Sequence, residues 1–258
     1  VPSRRLGISL GIDLIPFKTC SLNCVYCECG ATTNLTVDRK EYVPCEAVIA
    51  ELDSFLIKRP QLDFITFSGS GEPTLHSSIG KIIKHLKANY PEYKLAVLTN
   101  GTLCSIPLVR ESLNCCDLIV PSLDTGSEKV FQKINRPHPS LNCKDLIEGL
   151  IRLRKEFNGQ IWIEVLIVPG INDQIEDLAL LKAAIDHIKA DKVQIGTIDR
   201  PGAESWVRAA EVEDMQTIAA YLAEPGVESQ VELIANYQPR ESIKSFNQSA
   251  SNQILQII

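Results

Sequence analysis

Two kinds of apolar segment alternate along the chain. One is short, continuous and rich in β-branched residues; the other is longer and places apolar residues every three or four positions. The short runs are SLGIDLIP (9–16), LDFITFS (62–68), YKLAVLTN (93–100), CDLIVPSLD (116–124), QIWIEVLIVPG (160–170) and DKVQIGTID (191–199), and each predicts a strand. The longer segments predict helices over 44–59, 78–90, 106–113, 143–157 and 174–190. A further helix is expected at 211–223, followed by a last apolar run, VELIAN (231–236).

Strands that alternate with helices imply βαβ crossovers and a parallel sheet, an α/β fold. The strands are apolar nearly throughout, as expected when both sheet faces are covered. Six units read as (βα)6, short of the eight of a full barrel. Periodicity alone leaves a partial barrel and an open doubly wound sheet both standing. The polar stretch SFNQSASNQ (245–253) and the short apolar ILQII (254–258) break the pattern. The expected division is therefore 1–240 for the sheet and its N-terminal extension. Residues 241–258 would be a tail, or the start of a truncated C-terminal module.

A chain of 258 residues can bury a large core without staples. Its nine cysteines are an odd number, and no apolar run reaches membrane length. No secretory signal pattern opens the chain. A reducing, cytoplasmic setting is the expectation, with no membrane partner, and clustered cysteines there point to metal or redox chemistry. The net charge of −6 weighs against a protein that covers a long run of phosphates.

The candidate chemistry begins in KTCSLNCVYCECG (18–30), where Cys20, Cys24 and Cys27 follow a C-x3-C-x2-C spacing. Thiolates are soft ligands suited to zinc, Cu(I) or Fe–S clusters. A closed zinc site wants four ligands, usually from two C-x-x-C units, and this chain has one. A [4Fe–4S] cluster takes four thiolates, so three would leave one iron with an open position. The loop directly follows the first predicted strand, at the barrel end where sites gather. Cys29 stands two residues further on as a spare ligand or a bystander.

With Tyr26 before its third cysteine, this loop resembles the radical S-adenosylmethionine (radical SAM) superfamily. The segments VPSRRLG (1–7), GIDLIPFKTC (11–20) and INRPHP (134–139) are similar to its short wyosine-synthase-like Fe–S oxidoreductases. The resemblance implies a partial (βα)6 TIM-like barrel holding a [4Fe–4S] cluster and S-adenosylmethionine (SAM). SGSGEPTL (68–75) resembles the family's Gly-Gly-Glu motif, with Ser70 in place of the first Gly. That match implies Gly71 and Glu72 beside SAM, with Glu72 accepting a hydrogen bond from the methionyl amine. Thr99, Asn100, Ser122 and Asp124, at later strand ends, match positions that hold the ribose and methionine carboxylate. Val168 is the matching candidate for adenine.

The implied function is a radical SAM enzyme that reductively cleaves SAM. The product is a 5′-deoxyadenosyl radical that abstracts hydrogen from a tRNA nucleoside, a peptide or a small metabolite. The electron would come from an external flavodoxin-type or ferredoxin-type reductant. The alternative is an Fe–S electron-transfer or sensor protein without SAM chemistry. Arg4 and Arg5 are candidates for binding a phosphate or carboxylate. Glu164 faces either the barrel lumen or the helix layer. Asn135, Arg136 and His138 form either a lid or a packed loop.

Overall fold

The computed structural model describes residues 2–3, 5–223 and 229–234. Arg4 and the tail at 241–258 lie outside them. Ten strands run in chain order: β1 (Pro2–Ser3), β2 (Gly7–Ile12), β3 (Thr19–Cys20), β4 (Asn34–Leu35), β5 (Phe64–Phe67), β6 (Lys94–Thr99), β7 (Leu118–Pro121), β8 (Gln160–Leu166), β9 (Lys192–Gly196) and β10 (Gln230–Leu233). Seven helices accompany them: α1 (Cys45–Leu56), α2 (Ile79–Asn89), α3 (Pro107–Leu113), α4 (Glu128–Ile134), α5 (Cys143–Glu156), α6 (Ile175–Ile188) and α7 (Val212–Leu222).

The main sheet has the order β1-β2-β5-β6-β7-β8-β9-β10, parallel throughout except for β1. Each parallel strand is added beside its predecessor in sequence. A doubly wound sheet would reverse direction at a switch point, so this is the barrel winding. Edge strands β1 and β10 do not pair with each other, and the barrel stays partial. The run at 231–236 supplies a seventh parallel strand: β10 pairs with β9 from Gln230↔Lys192 to Leu233↔Ile195. Sequence reading left that run unassigned.

The first strand is shorter than expected. It ends at Ile12, because Asp13 turns back to accept from the Ile15 N–H and the Ser70 N–H, and Pro16 has no N–H to give a ladder. Leu14 and Ile15 are still buried, as core residues of the turn.

Alternation along the strands divides the core. Ile65, Leu95, Val97, Ile119, Ile163, Val165, Val193 and Ile195 join the helices in the large outer cluster. On the inner face Ala96, Leu118 and Val120 pack with Leu6, Phe64, Leu98 and Trp162. Glu164 shares the face of Trp162, so it points to the lumen. The N-terminal segment enters that lumen, where Arg5 pairs with Glu164.

Ile119 has no exposed surface at the centre of the sheet. Truncating a buried Ile to Ala costs about 2–5 kcal/mol. Ile119→Ala is expected to lower the unfolding free energy by that amount, seen as a lower urea midpoint with an unchanged slope; a loss below about 1 kcal/mol would contradict this assignment of the core.

Candidate functional site

The three spaced cysteines lie in the loop after β2, at the C-terminal end of the barrel. All three are partly exposed free thiols. The loop has little regular structure of its own, so other elements fix its shape. Residues 134–138 run beside it: Asn23 N donates to Asn135 O (2.9 Å), Val25 N to Ile134 O (2.9 Å) and His138 N to Ser21 O (2.9 Å). INRPHP is therefore a packed support for the loop. Beneath it, Val25 packs with Val130, Ile134, Val168, Ile171 and Val207. On the other side Gly71 lies against Thr19. A Cβ at Gly71 would meet the Thr19 carbonyl oxygen at 2.2 Å, so only glycine lets the β5 loop approach this closely.

Two buried carboxylates carry the polar framework. Glu72 is 2% exposed. Its Oε1 accepts from Thr74 N (3.0 Å), Thr74 Oγ1 (2.6 Å) and Thr99 Oγ1 (2.6 Å), and its Oε2 from Asn100 N (2.7 Å). Asn100 then reaches the cysteine loop, donating to Ser21 Oγ (2.8 Å) and Cys20 Sγ (3.5 Å). Asp124 is 3% exposed. Its Oδ2 accepts from Tyr26 Oη (2.6 Å) and Asn135 Nδ2 (2.7 Å), and its Oδ1 from Leu166 N (2.9 Å). Asn135 Nδ2 also lies 3.5 Å from Cys24 Sγ. Burial pushes both carboxyl groups above the ordinary carboxylate range, and their hydrogen bonds oppose that rise.

Each spaced cysteine receives one side-chain N–H. Asn100 serves Cys20, Asn135 serves Cys24, and Lys18 Nζ serves Cys27 at 3.1 Å. Burial pushes the Cys20 thiol up to about 11, with Glu72 adding to the rise, and pushes Cys24 further. Among the described residues no three His, Cys, Asp or Glu side chains converge on a single ion. A cubane does not require such convergence, because it has four irons for its four thiolate positions. Soft thiolates with N–H donors at their sulfurs fit that group. Cys45, Cys104, Cys116 and Cys143 belong to the outer core instead.

A cavity of about 250 Å³ adjoins the loop, lined by Arg5, Tyr26, Cys27, Glu164, Leu166 and Thr197 among others. Of the residues expected at SAM, Tyr26, Gly71, Asn100 and Ser122 keep partial exposure, whereas Glu72, Thr99, Asp124 and Val168 are buried. Ser122 N donates to Thr99 O (2.9 Å), which ties the β6 and β7 ends together. Val168 does not line the cavity; Leu166, two residues earlier, does. Sequence reading missed Lys18 and Asn172. Asn172 is 1% exposed and donates to Asp124 O and Leu166 O, both at 2.9 Å. Lys18 was visible only as the residue two before Cys20, and Asn172 carried no signal.

The family model described as Radical SAM superfamily matches residues 14–181. The chain belongs to the radical SAM superfamily. Among curated relatives it is 30% identical to a UPF0026 protein of Methanocaldococcus jannaschii over 259 aligned residues, covering all of this chain and 79% of that one. It is 37% identical over 221 residues to a Brachyspira hyodysenteriae protein named GTPase Obg, covering 86% of this chain and 32% of the relative, so it spans only a third of that protein. The fold matches a radical SAM methyltransferase from Sphaerobacter thermophilus, with TM-score 0.65 at 16% identity, over 89% of this chain and 67% of the other. It also matches Streptococcus suis SuiB bound to S-adenosylmethionine, with TM-score 0.65 at 15% identity, over 88% and 50%. By that membership it is a radical SAM enzyme, of a superfamily whose cofactors are a [4Fe–4S] cluster and SAM. The superfamily generally needs an external reductant, and no helix among the described residues is long and apolar enough to cross a membrane.

Gly71→Ala is expected to push the β5 loop away from Thr19 and Cys20. Iron and sulfide per chain after anaerobic reconstitution should fall by at least half; full loading would show that the contact does not shape the site.

Proposed function

We propose that Cys20, Cys24 and Cys27 hold the cluster and that the missing fourth thiolate leaves a position for SAM. The observation that supports this most directly is the set of side-chain N–H donors, one to each of these three sulfurs. When bound, the two cofactors together supply reductive cleavage of SAM and a 5′-deoxyadenosyl radical that takes hydrogen from the substrate. The electron donor is a flavodoxin or ferredoxin of a reducing cytoplasm.

The protein's own residues position and enclose. Tyr26, Gly71, Asn100 and Ser122 are the groups able to touch SAM, since they keep exposed surface at adjoining strand ends. Glu72, Thr99, Asp124 and Val168 form the layer behind them and fix their orientation. In this reading Glu72 acts mainly through Asn100, although Oε2, with a single protein donor, retains room to accept from an amine. Leu166 and the apolar side of Tyr26 offer a dry wall for a planar base.

The substrate would meet the cavity from the lumen side. There Arg5 pairs with Glu164, and Glu28 and Asp199 line the same cavity.

Anaerobic reconstitution followed by SAM and dithionite is expected to yield 5′-deoxyadenosine, read by mass spectrometry. Cys24→Ala should reduce the yield to background. A cluster that forms in the intact protein while SAM fails to bind would overturn the proposal.

A further inference from the structure

Lys18 is the one lysine buried among the described residues, at 3% exposure. Its backbone has φ +56°, a conformation non-glycine residues rarely adopt. The segment holds it there: Lys18 O accepts from Thr33 N and Asn34 N, both at 3.1 Å, and Thr19 N donates to Pro16 O at 3.1 Å. The ammonium at the end of this side chain has one hydrogen-bond partner among the described residues, Cys27 Sγ at 3.1 Å. A buried ammonium needs an anionic partner to offset the loss of its hydration. A neutral thiol does not supply one; a thiolate that belongs to an anionic iron–sulfur cluster does.

The other two sulfurs receive neutral donors, from Asn100 and Asn135 at 3.5 Å each. The Lys18 contact is both shorter and charged, and charged hydrogen bonds are the stronger kind. Reduction adds one negative charge to the cluster. A fixed positive charge a single bond away, screened from water, stabilises the reduced form more than the oxidised one. Net charge, hydrogen bonds to sulfur and solvent exposure are the means by which a protein sets such potentials.

We propose that Lys18 raises the reduction potential of the cluster through its contact with Cys27, with Asn100 and Asn135 as lesser donors. Lys18 is thus a positioning residue that makes the electron easier to accept from the external reductant. The proposal rests on the assignment of the cluster to Cys20, Cys24 and Cys27.

The test is a redox titration followed by electron paramagnetic resonance on anaerobically reconstituted protein without SAM. Wild type, Lys18→Met and Lys18→Arg are compared. Lys18→Met keeps the apolar stem and removes the charge. At any fixed solution potential its ratio of reduced to oxidised cluster is expected to fall about tenfold, which for a one-electron couple is a downward shift of about 59 mV. Lys18→Arg should recover most of that ratio. In both variants SAM should still alter the cluster signal, which separates a change of potential from a damaged site. Equal midpoints for wild type and Lys18→Met, both with full cluster, would overturn the proposal and leave the cluster assignment intact. Absence of a cubane signal in wild type would overturn both. Should Lys18→Met fail to take up iron, Lys18→Gln is titrated in its place and carries the same expectation. Failure of both to assemble would show that Lys18 serves assembly, and would overturn its role in potential.

Discussion

Two carboxylates buried at strand ends on either side of β6 hold the cysteine loop in place. Glu72 follows β5 and Asp124 follows β7, on the barrel end where β2 releases the loop. Each takes hydrogen bonds from more than one element and passes its orientation on through an asparagine, Asn100 or Asn135. Taking a carboxylate out of water costs several kcal/mol unless its lone pairs are satisfied. Four donors on Glu72 and three on Asp124 meet that requirement. Loss of either acid would leave several buried donors without an acceptor, and each such orphan costs about 1–3 kcal/mol. The loop has little secondary structure of its own, so this framework gives it its shape.

The barrel supports that arrangement by adding its parallel strands in sequence. The C-terminal ends of the main-sheet strands β2 and β5 to β9 therefore arrive on one rim in chain order, and residues far apart in sequence meet there. Tyr26 and Asp124, 98 positions apart, share a 2.6 Å hydrogen bond. Arg5 and Glu164 are paired across 159 positions. The loop at 202–207 joins the same rim: Glu204 N donates to Val25 O at 3.0 Å, and Gly202 lies against the Tyr26 backbone. The site is thus an assembly of loops over an ordered sheet, as expected where chemistry sits on connections and stability sits beneath them.

Much of this was legible in the sequence. The six strand–helix units were visible because strands buried on both faces read as continuous β-branched runs and helices read by their period. The cysteine spacing carried the family. Other features were hidden for physical reasons. VELIAN could be a strand or a helix start, and only pairing with β9 decides it. The C-terminal end of β2 was read four residues too far because Leu14 and Ile15 are buried in a turn as fully as they would be in a strand. Helix α4 was not among the helices the periodicity predicted. The division of the SAM-site residues into exposed and buried layers depends on contacts between strand ends, which no local pattern records. Glu164 could face either way until the neighbouring Trp162 was found in the inner cluster. Arg4 and the tail at 241–258 lie outside the described residues.

The claim that buried carboxylates shape the cluster loop is tested most directly by the paramagnetic resonance signal of the dithionite-reduced protein, recorded with and without SAM. Asp124→Ala is compared with Glu164→Ala, an acid of the lumen that touches no cysteine. Glu164→Ala should give a cubane signal equal to wild type, altered by SAM. Asp124→Ala should lose most of the signal, or keep one that SAM does not alter. A full, SAM-responsive signal in Asp124→Ala would mean that the loop holds its own shape, and would contradict the account.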